Sequence, residues 1–311
     1  MSDNERPLLI LGSSGQVGWE LQRTLAPLGK IVAVDRAGRV DALSDLSDLT
    51  RLRVLLERLS PRLVVNAAAY TDVEKSETEE ELAHRINAEA PLVLGRWSAE
   101  HDVPVIHYST DYVFDGTKGT PYVETDTPNP LNAYGRTKLA QERVTLEWPA
   151  GIVVRTAWLY SPTGRNFVKT ILALARERVE EARERASDES LGIANVTPQP
   201  TPLTVVDDQV GSPTYAPHLA AGVLELLARG PAPGIYHMAG SGACSWRELA
   251  RETVIRAGLP VEVHPVTSEE FGAAAPRPAY SPLASERGVP PLPPWHDGVA
   301  ACVEALSAER Q

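Results

Sequence analysis

Short, largely apolar runs alternate along the first half of the chain with longer segments of helical periodicity. The apolar runs are PLLILG (7–12), KIVAVD (30–35), RLVVNAAAY (62–70), VPVIHYST (103–110) and GIVVRTAWLY (151–160). The helical segments are 16–29, 49–59, 79–100 and the one that contains Tyr134. Apolar strands separated by helices are typical of a parallel sheet covered on both faces. The pattern therefore predicts an α/β fold with a doubly wound, Rossmann-like sheet.

The second half of the chain has a less regular pattern. The stretch 168–190 is predicted to begin as an amphipathic helix and then turns into a charged run. The Pro- and Thr-rich stretch 195–202 predicts a loop, and LTVVDDQ (203–209) predicts a strand. SWRE (245–248) has the spacing of a capping box, whose serine and glutamate each take a free amide of the first helical turn. We expect this half to form a smaller, mixed α/β lobe.

Three glycines lie where the first predicted strand ends and the first helix begins. In GSSGQVG, Gly12 permits a tight turn, Gly15 lets the backbone approach a pyrophosphate, and Gly18 lets the helix pack on the strand. The helix N-terminus offers free amides and a positive dipole end to phosphates. Asp35 ends the next strand, at the distance where an acid binds a ribose hydroxyl. Strand, loop, helix and acid together predict a dinucleotide site.

The residues beside this acid leave the choice of cofactor open. Asp35 favours the free 2′-hydroxyl of NAD, whereas the adjacent Arg36 could pair with the 2′-phosphate of NADP. Arg36 is equally compatible with a solvated turn. We predict NADPH as the cofactor and keep NADH as the alternative.

We expect one lobe to bind the dinucleotide and the other to bind the substrate. Residues 1–157 form a dinucleotide-binding domain, which the chain is expected to rejoin at about 203–228. Residues 158–202 and 229–311 form a substrate-binding lobe, so the two lobes are interleaved along the chain.

Tyr134 and Lys138 lie four residues apart, on one face of a predicted helix. Reducing a ketone with a nicotinamide needs a proton on the carbonyl oxygen, and a free tyrosine, with a pKa of ~10, is a poor acid near neutrality. Because a lysine cation lowers that pKa, we predict that Tyr134 moves the proton and that Lys138 tunes it and holds the nicotinamide ribose. Thr110, at the carboxyl end of its strand, is predicted to donate to the same oxygen. Ser109 is the competing choice.

Composition narrows the range of partners and locations. The formal net charge is −11 and no basic stripe is visible, which argues against nucleic acid and anionic membrane surfaces as partners. The first residues lack a secretory pattern, and no apolar run reaches the ~20 residues of a membrane helix. The cysteines are Cys244 and Cys302, too far apart for a metal-ligand motif. A cytoplasmic protein with reduced thiols is expected.

Eight motifs follow each other over nearly the whole chain. They are GSSGQVGWELQ, VVNAAAYTDV, VIHYSTDYVFDG, NAYGRTK, VVRTAWLY, NF (166–167), VVDDQVGSPT and RPAYSPL (277–283). In these motifs the chain resembles the extended short-chain dehydrogenases/reductases, and more closely the dTDP-4-dehydrorhamnose reductase family. The resemblance implies reduction of the C4 ketone of dTDP-4-dehydro-L-rhamnose to dTDP-L-rhamnose, in dTDP-rhamnose biosynthesis.

The resemblance also implies contacts for individual residues. Those implied for the cofactor are Gly15, Gln16 and Val17 at the pyrophosphate, Asp35 at the adenosine ribose, Asp45 and Leu46 beside the adenine, and Ala69, Tyr70, Thr71, Tyr108, Tyr134 and Lys138 along the remaining cofactor. Those implied for the substrate are Thr110, Asp111 and Tyr134, with Trp158 against the sugar or else in the core.

The chain departs from the family pattern at two places. The charged, Pro-rich sequence from Glu177 to Pro202 looks longer than usual and is expected to be a solvated loop, with a lid or an oligomer contact as alternatives. Some family members are magnesium-linked dimers that use an acid just after SPT-x-x. Pro217 occupies that position here, so no metal is predicted. The oligomeric state is left open between monomer and homodimer.

Three alternative functions remain at this stage. Related dehydratases place a glutamate after S-T-D, and Tyr112 stands there instead, which favours reduction over dehydration. A reductase of another dTDP-4-keto-6-deoxysugar would keep the same catalytic set. A non-catalytic, dinucleotide-binding regulatory subunit is disfavoured by the presence of Thr110, Tyr134 and Lys138, although a fold does not dictate activity.

Overall fold

The computed structural model describes residues 6–36, 42–43, 45–187 and 199–308. The strands are β1 (Leu8–Leu11), β2 (Ile31–Asp35), β3 (Ala42–Leu43), β4 (Leu63–Asn66), β5 (Val105–Thr110), β6 (Gly151–Thr156), β7 (Leu159–Tyr160), β8 (Leu203–Val206), β9 (Val210–Gly211), β10 (Thr214–Tyr215), β11 (Gly234–His237), β12 (Gly240–Ser241), β13 (Cys244–Ser245), β14 (Val263–Val266) and β15 (Leu292–Pro294). The helices are α1 (Gln16–Thr24), α2 (Leu49–Leu59), α3 (Val73–Ser76), α4 (Glu80–His84), α5 (Ala90–His101), α6 (Ala133–Leu146), α7 (Phe167–Ser187), α8 (Ala216–Ala228), α9 (Trp246–Arg256), α10 (Ser268–Phe271) and α11 (Trp295–Ala308).

The main sheet is a seven-stranded parallel sheet with the order β11-β6-β5-β4-β1-β2-β3. Strand order reverses between β1 and β4, because the chain continues from β1 to one side and later returns on the other. In doubly wound sheets, ligands bind in the crevice at the carboxyl ends of the strands at this switch point. The predicted α/β fold with a doubly wound, Rossmann-like sheet is confirmed.

Both faces of the main sheet are buried, which explains why its strands are apolar throughout. Leu8 and Ile10 face a core formed with α1 and α8, whereas Leu9 and Leu11 face a core formed with α2 and α5. Alternate side chains of a strand point to opposite faces, so a sheet covered on both sides needs apolar residues at every position. The alternation of apolar and polar residues that marks a half-buried strand is therefore absent from these runs.

A second group of elements is built from short strand pairs and helices. The pairs are β7 with β10, β8 with β14, β9 with β13 and β12 with β15, and α7, α9 and α11 pack around them. Two further apolar cores lie here, one around Trp295 and the other around Ile171. This arrangement agrees with the mixed α/β character expected of the second half.

The assignment of lobes along the chain stays a prediction, and the structure adds detail to its boundaries. Within the segment expected to rejoin the first lobe at about 203–228, α8 packs on α1, but β8 pairs with β14 away from the main sheet. β11, at 234–237, lies in the main sheet beside β6. The chain therefore passes between the main sheet and the second group of elements more often than the predicted segments indicate.

Most predicted elements of the first half are confirmed, but the first helix ends earlier than predicted. The helix predicted over 16–29 ends at Thr24, and a short 3-10 turn containing Pro27 precedes Gly29. Proline cannot continue the hydrogen-bond ladder of a helix, which explains the early end.

In the second half of the chain, the loop expected from Glu177 is wrong up to residue 187. The helix α7 continues to that residue, with ion pairs such as Arg178–Glu181 at 2.9 Å. Residues 188–198 of that segment lie outside the described residues.

Three further observations concern a helix start, possible membrane spans and the cysteines. The capping box at 245–248 is confirmed, because Ser245 Oγ accepts from the Glu248 amide and Glu248 accepts from the Ser245 amide. Among the helices of the described ranges, none is both long enough and apolar enough to cross a membrane. Cys244 and Cys302 are free and buried.

Candidate active site

The glycine loop turns sharply between β1 and α1 and leaves the start of the helix open. Gly12 has φ +75°, and its amide and that of Ser13 donate to Val34 O at 2.9 and 3.1 Å. α1 begins after Gly15, and no side-chain cap from the described residues occupies its first amides. Its first turn also lacks acidic residues. This donor set, together with the helix dipole, fits an anionic phosphate group.

A cleft of about 540 Å³ opens over this loop at the switch point of the sheet. Most of the residues predicted to bind the cofactor line it: Gly12, Gly15, Gln16, Val17, Asp35, Arg36, Asp45, Leu46, Ala69 and Thr71. The amide of Ser47 donates to Asp45, which holds the pKa of that carboxyl below its usual range, so Asp45 is charged at neutral pH. The cleft thus brings together segments that lie far apart in sequence.

Five predicted cofactor residues lie outside the lining of this cleft. Gly18 is packed beneath the loop, where a Cβ would come 2.1 Å from Gly12 O. Tyr70 donates its hydroxyl to Glu79 at 2.6 Å, which raises its pKa to about 12. Tyr108 is buried in the core of the sheet. Tyr134 and Lys138 lie further along the carboxyl edge, at the end of β5.

The cleft also has lining residues that sequence reasoning missed. They are Leu11, Ser14, Val34, Ala67, Ala68, Ile86, Leu159, Gly164 and Arg165. Gly164 and Arg165 come from the loop after β7, which lies over the glycine loop and is tied to it by Asn166 Nδ2 donating to Gln16 at 3.0 Å. The N-F pair at 166–167 marked this loop, but only the folded chain places its neighbours beside Gln16.

The helix that carries Tyr134 is fixed at its first turn. Asn132 caps α6 by accepting from the Gly135 amide at 2.7 Å, and it also donates to Pro276 O at 2.8 Å. Glu77 accepts from the Ala133 amide at 2.7 Å. Side-chain acceptors for these orphan amides stabilise a helix start by about 1 kcal/mol. The first turn of α6 is therefore held by three separate parts of the chain.

Thr110 and Tyr134 approach each other at the carboxyl end of β5. Burial and the nearby Asp111 carboxyl raise the pKa of Tyr134, the polar contact with the Thr110 hydroxyl opposes the rise, and the resulting pKa is about 12. At neutral pH the phenol is therefore protonated. The other candidate hydroxyl, Ser109 Oγ, points away and donates to Glu142 at 2.5 Å.

Lys138 is on the same face of α6 but does not bond to Tyr134. Its Nζ donates to Tyr108 O at 2.6 Å and to Gln141 Oε1. Burial lowers the pKa of Lys138 to about 7, and the Glu142 carboxylate opposes this shift. In this arrangement burial sets the pKa of Tyr134 above its usual value, whereas the sequence predicted that the lysine would lower it. The predicted tuning by Lys138 stays a prediction.

Asp111 and Trp158, both predicted to contact the substrate, lie next to each other at the carboxyl edge of the sheet. Asp111 is 2 % exposed and accepts from Ser281 Oγ at 2.6 Å and from Thr110 Oγ1 at 3.1 Å. Trp158 is half-buried in a left-handed backbone conformation, φ 45°, and stacks on Trp246 at 3.5 Å between ring centroids. It packs with the second group of elements and belongs in part to the core around Trp295.

Asp111 and Asp115 are expected to affect stability in opposite directions as pH changes. Burial raises the pKa of Asp111 to about 7, so the folded state holds a proton that the unfolded chain loses near pH ~3.9. Its contribution to stability therefore falls as pH rises from about 4 to 7. Replacing Asp111 with asparagine should remove this fall, which urea unfolding across pH measures.

Asp115 supplies the matched control. Hydrogen bonds from Asn129 and Thr117 lower its pKa to about 2, so its stabilising contribution is present above pH ~4 and is lost as pH falls toward 2. Asp115→Asn should flatten the acid end of the stability curve and leave the range from 4 to 7 unchanged. Identical curves for the two variants would contradict the assignment.

Fold and site together define a class of protein. A parallel sheet with a glycine loop at its switch point and a Y-x-x-x-K helix beside the next strand ends is the arrangement of the extended short-chain dehydrogenases/reductases. Within the described residues, no cluster of three or more His, Cys, Asp or Glu side chains could hold a metal ion.

Comparisons with known proteins identify the family. The profile described as "RmlD substrate binding domain" matches residues 6–183 and 190–308, so the chain belongs to this family. The chain is 37% identical to dTDP-4-dehydrorhamnose reductase of Escherichia coli K12, over 96% of this chain and 97% of that protein. It is 39% identical to a probable dTDP-4,6-dihydroxy-2-methyloxan-3-one 4-ketoreductase of Streptomyces antibioticus, over 97% and 96%. The crystal structure of dTDP-4-dehydrorhamnose reductase from Bacillus anthracis in complex with NADP superposes with a TM-score of 0.84, at 32% identity, over 96% and 99% of the two chains.

Proposed function

We propose that this protein reduces the C4 ketone of dTDP-4-dehydro-L-rhamnose to dTDP-L-rhamnose, with NADPH as the hydride donor. One observation carries the proposal: a protonated Tyr134 hydroxyl and the Thr110 hydroxyl meet at the carboxyl edge of the sheet, outside the cleft that the glycine loop lines. The full-length similarity to dTDP-4-dehydrorhamnose reductases supports the substrate.

The residues of the cleft fit a nicotinamide dinucleotide. The amides at Gly15, Gln16 and Val17 would hold the pyrophosphate, with Arg165 adding positive charge from the facing loop. Asp35 would bind the adenosine ribose, and Arg36 the 2′-phosphate of NADPH. The adenine would lie beside Asp45 and Leu46, and Ala69, Tyr70, Thr71, Tyr108 and Lys138 would support the nicotinamide half. When bound, the cofactor supplies a hydride to the ketone carbon.

Tyr134 supplies the proton in this scheme. A phenol with a pKa of about 12 stays protonated at neutral pH but is more acidic than the alcohol that forms, so it can donate to the carbonyl oxygen as negative charge develops there. The Thr110 hydroxyl, which donates to Asp111 in this structure, would turn to donate a second hydrogen bond to the same oxygen. This stabilises the developing charge beside the buried side chains of Thr110 and Asp111, where a hydrogen bond is stronger than in bulk water. Asp111 and Trp158 orient the sugar.

A second cleft, of about 600 Å³, suits the nucleotide part of the substrate. It lies between α7, β8, α9 and α10 and is lined by the aromatic rings of Phe167, Trp246 and Phe271 and by the guanidinium groups of Arg178 and Arg277. Aromatic rings can stack on a base, and guanidinium groups pair with phosphates. Arg277 also approaches the Tyr112 hydroxyl, and the Tyr112 ring lies edge-on to Tyr134 at 6.2 Å. The proposed sugar and nucleotide positions are thus adjacent.

Reduction of another dTDP-4-keto-6-deoxysugar is the alternative. The 39% identity to the Streptomyces antibioticus ketoreductase favours it, because that relative has a different sugar in its name. The catalytic hydroxyls would be unchanged, and only the groups that contact the sugar would differ. We further propose that the chain works in the cytoplasm as a monomer or homodimer, with the dinucleotide-binding and substrate-binding lobes divided as the sequence indicates.

A direct assay separates these readings. The purified protein is incubated with NADPH or NADH and with dTDP-4-dehydro-L-rhamnose or its C3 and C5 epimers, and each product is identified by mass and NMR. We expect fastest turnover with NADPH and a dTDP-L-rhamnose product. Faster turnover of an epimer would favour the alternative, and cofactor binding without turnover of any sugar would favour a regulatory subunit.

A further inference from the structure

A buried charge network lies beneath the face of α6 that carries the catalytic side chains. Its carboxylate is Glu142, four residues after Lys138 and eight after Tyr134, so the three follow one stripe of the helix. Glu142 is 1 % exposed. Its Oε1 accepts from Ser109 Oγ at 2.5 Å and Arg155 Nε at 2.8 Å, and its Oε2 accepts from Arg155 Nη2 at 2.6 Å. Both carboxylate oxygens are therefore held by protein donors.

On the far side of the network, the hydrogen bonds of His237 allow its neutral ring only one tautomer. His237 Nδ1 lies 3.1 Å from Tyr122 O and 2.9 Å from Ala284 O, and carbonyl oxygens only accept, so Nδ1 carries the hydrogen. Nε2 is then an acceptor, and Arg155 Nη1 donates to it at 3.2 Å. Burial and the Arg155 charge lower the pKa of His237, which keeps the ring neutral. Arg155 therefore has one charge partner in the network, Glu142.

The network connects the two elements that carry the reacting hydroxyls. Ser109 and Arg155 are register partners on the neighbouring strands β5 and β6, and Thr110 follows Ser109 directly. Glu142 bonds to both partners from α6, which carries Tyr134. We propose that Glu142 is a positioning residue for the reduction, which holds α6 against the ends of β5 and β6 so that Tyr134 and Thr110 reach one carbonyl oxygen. This role rests on the proposed function.

Glu142 has a second, electrostatic effect on Lys138. The groups that face Lys138 are Gln141 and Glu142 of its own helix and, from β5, the Tyr108 carbonyl and His107. Burial keeps His107 neutral, so Glu142 is the charged group among them at neutral pH. Its negative charge opposes the loss of the proton from Lys138. Removing that charge should let Lys138 deprotonate at lower pH.

Two variants separate position from charge. Glu142→Gln keeps the shape and loses the charge, and we expect kcat to fall about 10- to 100-fold while the Kd for NADPH stays within about twofold. The alkaline limb of the pH profile of kcat/KM should move down by about one pH unit.

Ser109→Ala removes the hydrogen bond to β5 but keeps the charge of Glu142. We therefore expect kcat to fall about tenfold, while the alkaline limb of the pH profile stays where it is. Glu225→Gln, in an exposed pair with Arg229 at 2.6 Å, is the control and should change neither quantity.

Folding is monitored by Tm, because Glu142→Gln leaves the Arg155 charge buried. If that variant does not fold, the charge-free pair Glu142→Leu with Arg155→Met replaces it and should show the same loss of kcat. Folded variants that turn over at the wild-type rate with the wild-type pH profile would overturn the proposal. A wild-type protein that reduces no dTDP-4-keto sugar would instead refute the proposed function.

Discussion

Replacing Tyr134 with phenylalanine is expected to lower kcat by about 10²- to 10⁴-fold, the range that a positioned proton donor contributes. The Tyr134 phenol faces the end of β5 from α6. It is protonated at neutral pH, and the Thr110 hydroxyl lies beside it. Its ring lies edge-on to Tyr112 and would keep that contact as phenylalanine. The measurement is oxidation of NADPH in the presence of the dTDP-4-keto sugar.

Binding of the cofactor should separate this effect from misfolding. The cleft that would hold NADPH is lined by residues other than Tyr134, so the Kd for NADPH should change little. Tyr236→Phe is a matched control, because Tyr236 lies in β11, outside the lining of the cleft, and its hydroxyl donates to Ala232 O at 2.6 Å. Wild-type turnover by Tyr134→Phe would refute its role as proton donor.

Two glycines of the cofactor loop are expected to respond differently to alanine. At Gly18 an added Cβ would lie 2.1 Å from Gly12 O and 2.9 Å from Ser13 Cα, both in the backbone of the loop. Because backbone must shift to make room, Gly18→Ala should lower the free energy of unfolding by about 1–3 kcal/mol. The displaced loop should also bind NADPH poorly. Urea unfolding and a binding titration measure the two effects.

Gly15→Ala is the matched comparison in the same loop. Its nearest neighbour would be Gly12 O at 3.2 Å, and its φ of −74° suits any residue, so its free energy of unfolding should change by less than about 0.5 kcal/mol. The new methyl group would nevertheless stand where the pyrophosphate approaches, and we expect at least about tenfold weaker NADPH binding. Equal stability of the two variants would contradict the packing role of Gly18.

The sequence predicted those parts of the site that are local along the chain. The apolar run, the glycine spacing and Asp35 lie within one strand-loop-helix-strand unit, and Tyr134 and Lys138 lie within one helix. Geometry over such short separations follows from helix and strand periods. The helix to residue 187 was missed because its charged residues resemble a solvated loop, although pairs three residues apart, such as Arg178–Glu181, suit a helix surface.

Other parts of the site depend on contacts between distant segments. Arg165 lies at the cofactor cleft because Asn166 bonds to Gln16, 150 residues away in sequence. The high pKa of Tyr134 comes from burial and from Asp111, and the spacing to Lys138 gives no sign of either cause. Local sequence carries no measure of desolvation, which depends on everything that packs around a group.

The sequence by itself determined the α/β class of this protein, the place of the dinucleotide loop and the spacing of Tyr134 and Lys138, because each is set by residues a few positions apart. Only the tertiary structure decided that Ser109 turns to Glu142 while Thr110 meets Tyr134, and that Arg155 and His237 close the network behind them. These choices depend on strand register and helix packing. Such packing joins residues that the chain keeps far apart, and no local pattern encodes it.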